Sequence, residues 1–221
     1  MNSCSLVDND LAIKISSYEL PSELIAVLSA KGLSPAALQV AIYVVRNRLR
    51  RSRQLNERDR AIKAFEQLSS HLTILEPTPG EIELAAAYEA KAQALDLQLD
   101  TGESQLLAVL LSRSAALFLT GDKRAIVAIE EIIGDQFEHP KIGCLEQVIA
   151  AIVQLTNVQY VRSQICREPE ADRAISLCFS CTASAVSMTS ALEGLDSHIH
   201  ALRSNASRTL LLSNDLSSLV P

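Results

Sequence analysis

The sequence predicts an α/β fold built on a parallel sheet, and three observations carry that reading. Short apolar runs at Ser5–Val7, Leu72–Leu75 and Ala115–Thr120 suit buried strands, and helical periodicity fills the intervals between them. The first and last runs each give way to a carboxylate, Asp8 and Asp122, where the carboxyl ends of parallel strands would lie. The composition is aliphatic: 48% of the 221 residues are hydrophobic and only 4% aromatic, which suits helices packed by Leu, Ile, Val and Ala.

The elements follow in order. The acidic turn Asp8-Asn9-Asp10 leads into a helix from Leu11 to about Ser17. Pro21-Ser22-Glu23 opens a short helix that Lys31-Gly32 stops. Ser34-Pro35 reads as an N-cap and first-turn pair, so a helix is expected from there to about Arg53. Ile62, Phe65 and Leu68 are spaced for a helix over 56–69. After the second strand, Glu76-Pro-Thr-Pro-Gly80 breaks the chain and Thr78 caps a helix over 79–95. A loop over 96–101, a helix over 102–112, the third strand, the turn Gly121-Asp122 and a helix over 123–133 complete the alternation.

From Gly134 the character changes. Gly134-Asp135 and His139-Pro140 punctuate the chain, and only helical patterns follow, over about 144–166 and 169–192, with a weaker third and a frayed end. Two units are therefore expected: a sheet-bearing domain over 1–137 and an all-helical C-terminal extension over 138–221. The Ser, Ala and Thr of the extension permit close helix packing, and it offers a surface for a homodimer or another protein partner.

Charge and composition narrow the function. The net charge of −6 does not advertise a nucleic-acid partner globally, although Arg46–Arg53 concentrates cations locally. The N-terminus lacks the basic, then apolar pattern of a secretory signal, and no run of roughly 18 apolar residues occurs, so a cytoplasmic protein is expected. Five irregularly spaced cysteines suggest free thiols in a reducing compartment. Cys178-Phe-Ser-Cys181 has no second well-spaced pair, and both thiols are expected to be buried and free rather than zinc-bound.

The chemistry-bearing residues are acids: Asp8, Asp10, Asp100, Glu103 and Asp122. Glu103 starts the helix that leads into the Asp122 strand, and a right-handed crossover brings that helix beside the sheet. Carboxylates gathered in one pocket repel one another, and a divalent cation with hard-oxygen preference resolves the repulsion. The competing reading makes each acid a helix cap, Asp8 for the helix at Leu11 and Asp122 for the one at Arg124. The basic cluster would steer a phosphate backbone toward the acids, or it is a solvated helix end.

Three segments occur in an informative order: Leu6-Val-Asp8-Asn-Asp10, Gly102-Glu103-Ser-Gln-Leu-Leu-Ala108 and Leu119-Thr-Gly-Asp122-Lys-Arg124. Over about residues 4 to 133 the chain resembles the PIN-domain family of metal-dependent ribonucleases, which includes toxins of bacterial toxin–antitoxin pairs. The resemblance implies a three-layer PIN-like domain that hydrolyses phosphodiester bonds of single-stranded RNA. It implies Asp8, Glu103 and Asp122 as the catalytic acids holding Mg²⁺ or Mn²⁺, and RNA and an antitoxin as partners. Lys123, Arg124, Arg46 and Arg50 are the candidates for substrate phosphate. The chain departs from the family at Ala36–Asn47, where a further acid is usual and none occurs; Gln39 and Asn47 are the neutral substitutes available. That departure supports the alternative of a catalytically eroded scaffold that binds protein or RNA.

Overall fold

Cys4–Val7 (β1) is buried along its whole length, as a central strand covered on both sides must be. The computed structural model describes residues 4–139 and 141–218, and in it β2 (Ser34–Leu38), β3 (Thr73–Leu75), β4 (Leu117–Thr120) and β5 (Ile142–Cys144) complete the sheet. Every pairing is parallel, in the order β3-β2-β1-β4-β5. Strand side chains alternate between two cores. Val7, Ala37, Leu117 and Leu119 face one, packed by α1 (Asn9–Ser17), α2 (Pro21–Ser29), α3 (Gln39–Arg51) and α4 (Arg58–Ser69). Leu6, Ala36, Leu38 and Phe118 face the other, packed by α5 (Pro79–Ala94), α6 (Thr101–Ser112) and α7 (Lys123–Ile133). Helices on both faces of a parallel sheet are consistent with a three-layer α/β fold.

The helix expected from Ser34 begins only at Gln39, and Ser34–Leu38 is a strand. The residue before a proline is pushed toward extended backbone, which favours strand at Ser34. Pro35 pairs with Ser5, while β3 runs alongside only from Ala36 onward, so the missing N–H falls at the open beginning of the strand. The stop at Lys31-Gly32 occurs as expected, with Gly32 in the left-handed region at φ 68°.

Residues beyond 137 are not all helical. β5 pairs with β4 through Phe118–Ile142, Leu119–Gly143 and Thr120–Cys144, so the expected boundary falls between α7 and a strand of the same sheet. Three residues ahead of a long apolar helical run carry too little pattern to mark a strand. A Cβ at Gly143 would stand 2.7 Å from Leu119 Cδ2, which accounts for the glycine. α8 (Leu145–Leu155), α9 (Val158–Ile165), α10 (Arg173–Cys178) and the first half of α11 (Met188–Arg203) share the core of β1, α1 and α2. The long helices expected over 144–166 and 169–192 are each broken. Asn157 caps α9 by accepting from Tyr160 N at 2.8 Å, and Asp172 caps α10 by accepting from Ile175 N at 3.1 Å. Pro140 lies outside the described residues.

Cys181 is not a free thiol: it forms a disulfide with Cys166, across a Cα–Cα distance of 5.1 Å. Cys178 is free and buried, as expected. The bridge joins the end of α9 to the turn after α10, an approach that sequence spacing does not reveal. Closing a loop over a separation of 15 residues constrains the unfolded chain. Reduction is expected to destabilise the protein by about 3 kcal/mol. Urea midpoints with and without dithiothreitol check this, and Cys181→Ser should match the reduced parent; coincident midpoints would refute it. Among the described residues, no helix is long and apolar enough to cross a membrane.

Candidate metal and phosphodiester site

The carboxyl edge of the sheet assembles the site from helix caps. Asp8 follows β1 and caps α1, its Oδ1 accepting from Leu11 N at 2.7 Å. Its Oδ2 accepts from Thr120 Oγ1 at 2.6 Å, and that hydroxyl oxygen accepts in turn from Asp122 N at 3.0 Å. The end of β4 is thus tied to the end of β1 through side chains. Asp122 caps α7 and pairs with Arg124, whose Nη2 lies 2.8 Å from Oδ2. Asp100 and Glu103 form a reciprocal capping box at the start of α6, both bonds 2.8 Å long.

Asp10, in the first turn of α1, pairs with Lys14 at 2.7 Å, and Lys14 reaches Asp172 at 2.9 Å. The segment before α10 is thereby fastened to the edge of the site. Burial alone would push the Lys14 ammonium down, but the two carboxylates raise it above the ordinary lysine range. Gly121 sits so close to Asp10 that a Cβ there would collide with Oδ2.

All five acids singled out in the sequence line one pocket of about 480 Å³. Asp8, Asp100, Glu103 and Asp122 are therefore both capping residues and neighbours, with Asp10 beside them. Burial pushes the Asp8 carboxyl up to about 7, with the Asp10 charge adding to the rise. Burial likewise pushes Glu103 up to about 8, and the charges of Asp100, Asp8 and Asp122 act in the same direction. For Asp122 burial is outweighed by the hydrogen bonds from Arg124, and its carboxyl lies below the usual range. Among the described residues, no group of three His, Cys, Asp or Glu side chains stands ready-arranged around a metal position.

The other candidates divide. Arg124 lines the pocket. Lys123 turns away and pairs with the buried Glu146. Gln39 is exposed at the start of α3 and does not line the pocket; Asn47 lines a neighbouring groove and Arg50 another beside the start of α4. Arg46 is half-buried away from the pocket. Because β2 runs to Leu38, the wall from this part of the chain is Leu38, Ala41 and Arg48. Arg48 is the residue that the sequence reading missed. It lies seven positions after Ala41, two helical turns on the same face, a signal that becomes readable once α3 is placed correctly. No known protein family, curated protein or solved structure matches the chain.

Proposed function

We propose that the chain is a PIN-like, metal-dependent nuclease that hydrolyses phosphodiester bonds of single-stranded RNA with Mg²⁺ or Mn²⁺. The observation that carries this reading is the meeting of Asp8, Glu103 and Asp122, from three separate elements, in one pocket with Asp10 and Asp100. The donor set fits such a cation, because every donor is a hard carboxylate oxygen. Burial and neighbouring negative charge hold Asp8 and Glu103 back from ionising, a cost that a divalent cation offsets. When bound, the cation supplies Lewis-acid stabilisation of charge developing on phosphate oxygens.

The chain's own residues do the positioning. Thr120 fixes the rotation of Asp8, and the capping box fixes Glu103. Arg48 on the pocket wall provides a cation for a phosphate, and Arg124 provides a second where its partner Asp122 is taken up by a metal. RNA is the partner that this combination of acids and guanidinium groups serves.

A non-catalytic scaffold on the same fold is the second reading. It is favoured by one observation: Asp8, Glu103 and Asp122 each already serve a helix start, and α3 places Ala41 rather than an acid on the pocket wall. Cleavage of a labelled single-stranded RNA with Mn²⁺ separates the two. The parent chain should cleave, and Asp122→Asn should reduce kcat by about 100-fold or more. Cleavage that survives in Asp122→Asn and Asp8→Asn rejects the site. No cleavage, together with no Mn²⁺ binding by calorimetry, leaves the scaffold.

A further inference from the structure

Arg48 borders two cavities. One is the carboxylate pocket; the other is a groove of about 400 Å³ between α1 and the C-terminal end of α3. The groove has an aliphatic floor from Ile13 and Leu55 and a polar rim from Arg48, Arg51 and Gln54. Among the described residues, neither Arg48 nor Arg51 has an ion-pair partner. Three positions apart on one helix, they present their guanidinium groups to the same side.

We propose that this groove is a second nucleotide subsite, in which Arg48 and Arg51 hold the stretch of single strand adjoining the phosphodiester in the carboxylate pocket. The inference rests on the nuclease reading of that pocket. Guanidinium groups donate pairs of N–H bonds to phosphate oxygens, and their planes, like the aliphatic floor, receive the face of a base. An acidic peptide would use the cations and leave the floor uncovered. The groove has the size of a small-ligand site. The charge distribution points the same way. Asp10 and Asp122 in the first pocket are already paired with Lys14 and Arg124, so the unpaired guanidinium groups of Arg48 and Arg51 are the cations left to attract flanking phosphates. The strand crosses from one cavity to the other at Arg48, and only a substrate longer than a dinucleotide reaches Arg51.

The test compares a uridine octanucleotide with the dinucleotide UpU in Mn²⁺, for the parent chain and Arg51→Ala. In the variant, kcat/KM for the octanucleotide should fall on the order of tenfold, through KM, with a change below about twofold for UpU. Equal changes for both substrates, or no change for either, overturn the subsite and leave the nuclease reading standing. If the parent chain cleaves neither substrate, the nuclease reading fails, and binding of labelled octanucleotide in EDTA judges the groove alone. Weaker binding by Arg51→Ala, with a salt dependence shallower by about one ion, supports the subsite; unchanged affinity overturns it. Gln54→Trp, at an exposed rim position, adds bulk to the groove and should raise KM for the octanucleotide only. An unaltered KM there counts against the proposal.

Discussion

Asp8→Asn is expected to be more stable than the parent chain at pH 8 by about 2 kcal/mol, with no gain at pH 5. The native carboxyl is raised from 3.8 to about 7 by burial and by the Asp10 charge. Between those values the folded chain holds a proton that the unfolded chain has released. Stability therefore falls as pH rises through this window, and by pH 8 ionising the buried group costs roughly 4 kcal/mol. Asparagine removes that cost. It also gives up one of the two accepted hydrogen bonds, from Leu11 N and Thr120 Oγ1, worth about 1 to 2 kcal/mol. Glu103, raised to about 8, slopes the same way, so the parent chain should weaken between pH 5 and pH 9. A cation held by these groups favours their ionised forms, and Mn²⁺ should restore the stability lost at pH 8 in the parent but not in Asp8→Asn. Urea denaturation at the two pH values, with and without Mn²⁺, measures all of this. A stability difference that does not depend on pH would show that Asp8 is an ordinary ionised cap.

Glu130→Ala is expected to cost about 3 kcal/mol and to loosen the C-terminal segment. Glu130 lies on α7 with its side chain 6% exposed, and it gathers the far end of the chain. Its oxygens accept from Arg208 Nε at 2.8 Å, Thr209 N at 3.0 Å and Thr209 Oγ1 at 2.8 Å. The strand-like contact beyond depends on this anchor: Ile142 N donates to Thr209 O at 2.9 Å, and Leu211 N donates to Ile142 O at 2.8 Å. Truncation leaves the buried Thr209 N–H and hydroxyl without their acceptor, which is the expensive outcome. Burial pushes the Glu130 carboxyl up, but the bonds from Arg208 and Thr209 outweigh it and hold it below the usual range. The anchor's contribution is thus full above the ordinary carboxylate range and is lost as pH falls from there through the lowered native value. Hydrogen exchange at the amides of Thr209 and Leu211 reports the anchor directly. If their protection is unchanged in Glu130→Ala, the segment is held by apolar packing instead.

Much of the N-terminal half was legible from local pattern. β1 and β4 are short apolar runs that end beside acids, and the caps at Asp8, Thr78 and Asp122 are local chemistry readable over three or four residues. The five acids that line the pocket were legible for the same reason, since each sits near a strand end or helix start. β2 was not legible, because Ser34-Pro35 suits a helix start as well as a strand, and the choice was made by pairing with Ser5 and with β3. β5 was not legible either, because its three residues are held by β4 on one side and by Leu210 on the other.

The sequence by itself determined the helix starts at Asp8, Thr78 and Asp122, the buried runs of β1 and β4, and that acids fall at strand ends. These are properties of neighbours along the chain, set by caps, periodicity and backbone preference. Only the tertiary structure decided that the acids meet in one pocket, that Arg48 rather than Arg46 or Arg50 reaches it, and that Cys166 finds Cys181. It also decided that the residues after 137 share the sheet and core of those before. Each of these depends on strand order and register, which arise from burial shared between segments far apart in sequence and leave no signature in either segment alone.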